Sequence, residues 1–292
     1  MVDIAHSLDI LSGLPYFYYP FIFIIGLIVG SFLNVVILRT PKMLENAFRQ
    51  ECCELLELAP AKIDNISLAR PRSTCPSCNQ PIKPWHNIPV ISYLLLKGRC
   101  ADCNAAISIR YPLVELATAL LSVVTVFLLG FSAQGLLALV FLWCLISLTM
   151  IDIDTFLLPD TITLPLLWLG LLVNLSGVFT DINSAVWGAI AGYVSLWSVY
   201  WLFKLLTQKE GMGFGDFKLL AALGAWMGWQ YLPLIILLSS FVGAAIGIAG
   251  IVIHGRDKNI PIPFGPYLAM AGWIALVWGD TLINAYLNGM AL

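Results

Sequence analysis

Charge is what this sequence has least of. Fifteen Lys and Arg with seventeen Asp and Glu make up 11% of 292 residues, where a soluble chain carries about a quarter. Hydrophobic residues reach 60% against roughly 45–50% in soluble proteins, so most of this surface does not face water. That excludes an ordinary soluble enzyme and a disordered chain. A net charge of −2 and a pI near 5.9 leave no basic footprint for phosphate backbones, which excludes a nucleic-acid binder. No Lys or Arg precedes Arg39, so the positive flank of a cleaved secretory signal is missing as well. There is also no G-x-G-x-x-G loop of the soluble dinucleotide-binding kind.

What the sequence does have is apolar runs. The first, 15–38, is long enough at about 1.5 Å per residue to cross a hydrocarbon core of roughly 30 Å. Seven more follow, at 111–130, 134–151, 161–179, 184–203, 217–229, 231–253 and 264–283. The run 217–229 is short and its neighbour begins almost at once, but 217–253 is too long for a single span. With eight spans and the N-terminus outside, the inner loops are 39–110, 152–160, 204–216 and 254–263; together with Lys218 they hold all fifteen basic residues. That is the asymmetry of cytoplasmic loops. A re-entrant hairpin over 217–253 keeps the same sidedness. The expected fold is an all-α polytopic membrane protein of about eight transmembrane helices. Its parts are an N-terminal segment with the first helix (1–38), a cytoplasmic module (39–110) and a membrane domain (111–292).

Ten of the fifteen basic residues lie in that module, which also holds Cys75-x-x-Cys78 and Cys100-x-x-Cys103. Two such knuckles are the ligand set of a tetrahedral four-cysteine zinc site. The halves repeat as C-x-x-C-N-x-x-I, from Cys75 to Ile82 and from Cys100 to Ile107. Asn tolerates the left-handed conformation better than other side chains, so Asn79 and Asn104 suit tight turns around a metal. A zinc-ribbon-like module is expected, with the metal structural because four thiolates close its shell. Disulfides are disfavoured on a reducing cytosolic side. His86 reads as a surface residue, Cys52 and Cys53 as packing residues of a helix-like stretch over 43–58, and Cys144 as apolar filling within a span.

Four acidic residues gather at inner-face helix ends: Asp152, Asp154, Asp160 and Asp216. Ionisable groups at membrane depth are functional candidates by default. Asp160 follows Pro159 and opens the fourth span as a helix N-cap does; Asp154 also reads as a solvated loop charge. Asp152 closes the third span and Asp216 opens the sixth, at one depth on one side. Gly211, Gly213 and Gly215 alternate before Asp216 and let an extended peptide or another helix come close. Two neighbouring carboxylates in a partly dry site share a proton, one acting as base on a water and the other as acid toward a carbonyl. Spacing alone leaves this aspartic-protease arrangement open beside a proton-coupled transporter.

The ordered motifs resemble the bacterial type IV prepilin peptidases, membrane aspartic proteases of the GxGD class. The resemblance runs through Gly30-Ser-Phe-Leu-Asn34 with Arg39 and Pro41, Arg72-Ser-x-Cys75, Trp85-x-Asn87-Ile-Pro89, and Arg110-Tyr-Pro112 with Glu115. It continues through Asp152-x-Asp154-x3-Leu158-Pro-Asp160, Gly211-x-Gly213-x-Gly215-Asp216-x-Lys218 and Ile262-Pro-Phe-Gly265-Pro266. It implies that Asp152 and Asp216 are the catalytic pair, which makes 111–292 the protease domain. It also implies the substrates: prepilins and type II secretion pseudopilins, cut on the cytoplasmic face of the bacterial inner membrane after a Gly that ends a basic leader. N-methylation of the new N-terminal residue with S-adenosylmethionine is implied too, without residues assigned to that cofactor. The inner module beside Gly30 and Asn34 is the one polar region large enough for it. Residues 42–69 match no block of the family. A basic leader would be drawn to the acids around Asp154 and Asp160, an attraction that salt weakens.

Overall fold

The computed structural model describes residues 15–59, 66–209, 211–254 and 262–290. The start of the N-terminal segment (1–14), residues 60–65 of the unmatched stretch, and most of the expected inner loop 254–263, with Arg256 and Lys258, lie outside them. Among the described residues the chain is nearly all helix and has no strand. The helices are α1 (Pro15–Leu55), α2 (Ile91–Leu95), α3 (Arg110–Leu129), α4 (Ala133–Thr155), α5 (Asp160–Asn174), α6 (Ile182–Thr207), α7 (Phe214–Met227), α8 (Leu232–His254) and α9 (Gly265–Met290). Six of them, α1, α3, α4, α6, α8 and α9, are long and apolar enough to cross a membrane. The protein is therefore a polytopic membrane protein.

Each of the eight apolar runs falls on a helix, with two informative differences. The first helix does not stop after the apolar run. It continues through Pro41 to Leu55, and the exposed extension is supported by i,i+4 pairs, Arg49 with Glu45 at 2.6 Å and Gln50 with Glu54 at 3.3 Å. The run expected to reach 179 ends instead at Asn174. There the Asn174 side chain accepts from the backbone amides of Phe179 and Thr180 and closes the chain into a turn.

The chain divides between Trp143 and Cys144, inside α4, into two compact units. In the first, α1 lies against α3 with Gly26 and Gly30 facing Ala119 and Glu115. A β-carbon on Gly26 would come 2.6 Å from the Ala119 Cα, and one on Gly30 2.7 Å from the Glu115 Cα. Small residues four apart are what lets two helix backbones meet in lipid, where apolar burial gives no preference for helix over acyl chain. Tyr18, Ile22, Val126 and Leu139 form the apolar core of this unit.

In the second unit α7 is the hub. From Asp216 to Met227 every residue but Lys218 is buried. This explains a 14-residue helix that at about 1.5 Å per residue falls short of the bilayer core: it is wrapped by protein, so no lipid has to be matched. Gly188 and Gly192 of α6 repeat the close-approach device against Gly224 and Leu220 of α7. Gly228, at φ +90°, ends α7 and separates it from α8, so 217–253 is two helices.

Asn174, 1% exposed, ties this unit together. Besides its two acceptor bonds it donates to the carbonyls of Ala225 at 2.8 Å and Trp226 at 2.9 Å. Asn174→Ala would leave the buried carbonyls of Ala225 and Trp226 unpaired, each costing about 1–3 kcal/mol, and would free the part-buried amides of Phe179 and Thr180. The expected result is a loss of roughly 3 kcal/mol or more of stability, seen as a lower unfolding midpoint in detergent. A change below about 1 kcal/mol would show that water replaces the amide.

Candidate active site and metal centre

The two cysteine knuckles have one geometry. In each, an isolated antiparallel bridge, Thr74 with Pro81 and Arg99 with Ala106, brackets the C-x-x-C turn. The amide of Cys75 donates to Gln80 O at 3.0 Å and Asn79 N to Cys75 O at 2.8 Å; the amide of Cys100 donates to Ala105 O at 2.8 Å and Asn104 N to Cys100 O at 3.0 Å. Asn79 and Asn104 take φ +57° and +58°, the left-handed conformation expected of them. The four Sγ atoms all lie within 4.8 Å of one another, with Cys75 and Cys103 at 3.9 Å. A zinc ion bonded at about 2.3 Å to four thiolates sets sulfur–sulfur edges of about 3.8 Å, so the donors fit a metal and no disulfide. The amides of Cys78, first, and Ser77 draw the Cys75 thiol down to about 6, toward the thiolate that a metal takes. His86 stays outside the cluster, in a short 3-10 turn beside Trp85.

A contact that the sequence does not reveal anchors this module in the first unit. Glu115, 8% exposed, accepts from the Val90 amide at 2.8 Å. Val90 sits at φ +59°, a position that a β-branched residue holds only when its surroundings impose it. Nearby, Asn34 Nδ2 donates to Tyr111 O at 3.2 Å. Arg39 donates to the carbonyls of Ser67 and Pro71, each at 2.7 Å.

The second unit brings Asp152 and Asp216 together. They are 5% and 7% exposed and lie within electrostatic reach of each other. Asp152 belongs to the last turns of α4, which closes with Phe156 at φ +55°. Its Oδ2 accepts the backbone amide of Gly265, the first residue of α9, at 3.0 Å. Asp216 is the third residue of α7, and its own amide donates to the carbonyl of the N-cap Gly213 at 3.2 Å. Asp152 is thus held by a glycine amide and Asp216 by its place in the first turn of α7, and Leu158 packs against both Gly215 and Gly265 between them.

The glycine strip divides by role. Gly211 lies against the Phe203 ring and Gly215 against Leu158, where added β-carbons would come within 2.9 and 2.7 Å; at Gly213 the nearest atom would be Asp216 Oδ2, at 3.9 Å. Two of the three therefore serve approach within the chain, and Gly213 alone is open. Asp160 is not the expected N-cap. Pro159 holds that position, and Asp160 is the first helical residue of α5. Both its oxygens accept from Lys218 Nζ at 2.7 Å, so a cation of the same chain already answers its charge. Asp154 is exposed on the α4 end.

Two family models match the chain: the Bacterial Peptidase A24 N-terminal domain over residues 24–129 and the Type IV leader peptidase family over residues 139–248. The chain is 55% identical to a "Prepilin leader peptidase/N-methyltransferase" of Aeromonas salmonicida over 96% of its own length and 98% of the relative's. Proteins of the same name from Pseudomonas aeruginosa and Legionella pneumophila are 54% and 46% identical, over 96% and 94% of this chain and 97% and 96% of theirs. No solved structure matches. With the first model covering the helix pair around the cysteine module, the second covering both buried aspartates, and relatives alike from end to end, the chain belongs to the type IV leader peptidase family.

Proposed function

We propose that this protein is a membrane aspartic endopeptidase that removes the basic leader of type IV prepilins and methylates the new N-terminal amine. The observation that carries the reading is the meeting of Asp152 and Asp216 at the ends of α4 and α7, with Asp152 oriented by the Gly265 amide. Two carboxyl groups that share one proton can add water to a peptide carbonyl. The carboxylate takes a proton from water as its oxygen bonds to the carbonyl carbon, and the carboxylic acid gives its proton to the carbonyl oxygen. The tetrahedral intermediate collapses when the leaving nitrogen is protonated and the C–N bond breaks. Leucine and glycine surroundings limit the water that competes for these protons.

The substrates are taken to include type II secretion pseudopilins beside prepilins. The bilayer is the bacterial inner membrane, crossed eight times, with 39–110 and both aspartates on the cytoplasmic side and the N-terminus outside. Gly213 is the open edge along which the peptide would lie, with Gly211 and Gly215 shaping the loop. Asp154, exposed on the α4 end, then faces the basic leader, with Asp160 nearby on α5. The assay is mass spectrometry of a prepilin incubated with purified protein, with and without S-adenosylmethionine. Loss of the leader in both samples, with one methyl mass gained only with the donor, is expected. An unchanged precursor would end the reading.

Cys75, Cys78, Cys100 and Cys103 would hold zinc with no open coordination position, so its contribution is to fold a module too small for a core of its own. S-adenosylmethionine supplies the methyl group when bound, and we assign that half of the reaction to the cysteine-bearing unit. Cys75→Ser with Cys78→Ser should take the bound zinc from one per chain to near zero by elemental analysis, and should abolish methylation while cleavage persists. Full zinc content, or methylation at the wild-type rate, would refute the assignment.

A further inference from the structure

Residues 84–96 of the cysteine module supply neither a thiolate nor a catalytic group. They contain no Asp, Glu, Lys or Arg and are bracketed by Lys83 and Lys97. An apolar stretch of roughly 10–14 residues is either a buried core helix or an interfacial segment, and burial decides between them. This stretch is inside out. Trp85, Ile88, Ile91, Leu94 and Leu95 are exposed, Leu95 at 77%, while Ser92 is buried. The Ser92 hydroxyl donates to Trp85 O at 2.8 Å and accepts the Ile88 amide at 3.0 Å. The polar side chain is therefore turned onto the segment's own backbone and the apolar ones are turned out, the reverse of a segment folded for water.

Glu115 sets the height of this segment against the bilayer. The spanning helix α3 begins at Arg110, and Glu115 lies about 7 Å along it. The bond from the Val90 amide to Glu115 therefore holds the start of α2 beside the first two turns of α3, at the level of the headgroups and the adjoining acyl chains. A Trp next to a Lys is an anchor of that boundary, and Lys83 Nζ lies 5.9 Å from the Trp85 ring centroid. The charge has one sign as well. Residues 65–101 hold Arg70, Arg72, Lys83, Lys97 and Arg99 and no acid, a surplus that outweighs the net negative charge of a zinc–tetrathiolate centre. We infer that 84–96 is a lipid-binding segment lying in the membrane interface, with Ile91, Leu94 and Leu95 among acyl chains and Lys83 and Lys97 on anionic headgroups. Such a segment combines apolar burial with attraction to anionic lipid, and it holds the cysteine module against the membrane surface. The inference depends on α3 crossing the bilayer and not on the catalytic assignment; the leaflet is the inner one on the sidedness proposed above.

The test places an environment-sensitive fluorescent amino acid at Leu94 or Leu95 of the full-length, zinc-loaded protein, in nanodiscs of phosphatidylcholine with about 30% phosphatidylglycerol. The same probe at the exposed Glu51, about 18 Å beyond Arg39 along α1, is the water control, and at the exposed Leu120 of α3 the lipid control. Nanodiscs open both faces to the buffer, so the outcome does not depend on sidedness. Quenching by a nitroxide on the acyl chain at least about threefold above Glu51, and quenching by iodide at least about threefold below it, are expected at Leu94 and Leu95. Nitroxide carried on phosphatidylglycerol should quench about twice as strongly as the same label on phosphatidylcholine, and Lys83→Gln with Lys97→Gln should remove that difference. Iodide quenching at the Glu51 level would place the segment in water, and quenching by neither agent would place it against protein; each result overturns the inference. Equal quenching by the two lipids in wild type would overturn the contact assigned to Lys83 and Lys97.

Discussion

Asp152→Asn and Asp216→Asn should each slow leader removal by about a thousandfold or more, with little change in affinity for the precursor. An asparagine in either place keeps the shape of the side chain, and at 152 its oxygen can still meet the Gly265 amide. It can neither take a proton from water nor hold the proton that the carbonyl oxygen needs. Because the two carboxyl groups act as a unit, the double variant should be hardly slower than either single one. Asp154→Asn is the informative control. Asp154 lies two residues from Asp152 but is exposed at the helix end, so its loss should change the rate only severalfold, mainly through attraction of the leader. Single-turnover rates in detergent separate these outcomes. A large loss at Asp154 with activity kept at Asp152 would mean that the pair is misassigned.

Gly265→Ala should cost about a hundredfold in kcat without unfolding the protein. A β-carbon at Gly265 would lie 2.6 Å from Asp152 Oδ2 and 3.0 Å from Leu158 Cδ2, so the carboxylate or the start of α9 has to move. Either movement breaks the amide bond that aims Asp152, and displacements of about an ångström at a catalytic group cost rates of this order. The loss should fall on kcat more than on KM, because the Gly265 amide holds a catalytic side chain and is not itself offered to the substrate. Circular dichroism and the thermal midpoint should stay near wild type. Activity within about twofold of wild type would show that the Gly265 amide does not position Asp152.

Much of this arrangement is local and can be read from the sequence. The zinc knuckles are legible because the C-x-x-C-N repeat encodes its own turn, and Asn79 and Asn104 take the left-handed conformation that the repeat predicts. The helices are legible because apolar runs need no partner to be recognised. The contacts that build the site are different, since each joins residues far apart in the chain. Gly265 and Asp152 are 113 residues apart, and Lys218 and Asp160 are 58 apart. No periodicity carries such a pairing, and so Asp160 reads as a cap when its carboxylate in fact meets a lysine. The extent of α1 was hidden for a related reason. The polar residues after Arg39 look like a change of segment, yet the i,i+4 pairs that carry the helix on to Leu55 cost only one backbone hydrogen bond at Pro41.

On the proposed assignment Asp152 and Asp216 perform the cleavage, and methyl transfer belongs to another part of the chain. One experiment addresses both halves. Wild type, Asp152→Asn and Asp216→Asn are each given an intact prepilin and, separately, a synthetic peptide that already begins at the first residue after the cut, with S-adenosylmethionine present, and the products are weighed by mass spectrometry. Both variants should leave the prepilin at full mass yet add one methyl group to the pre-cut peptide as wild type does. A shortened prepilin in either variant would contradict it.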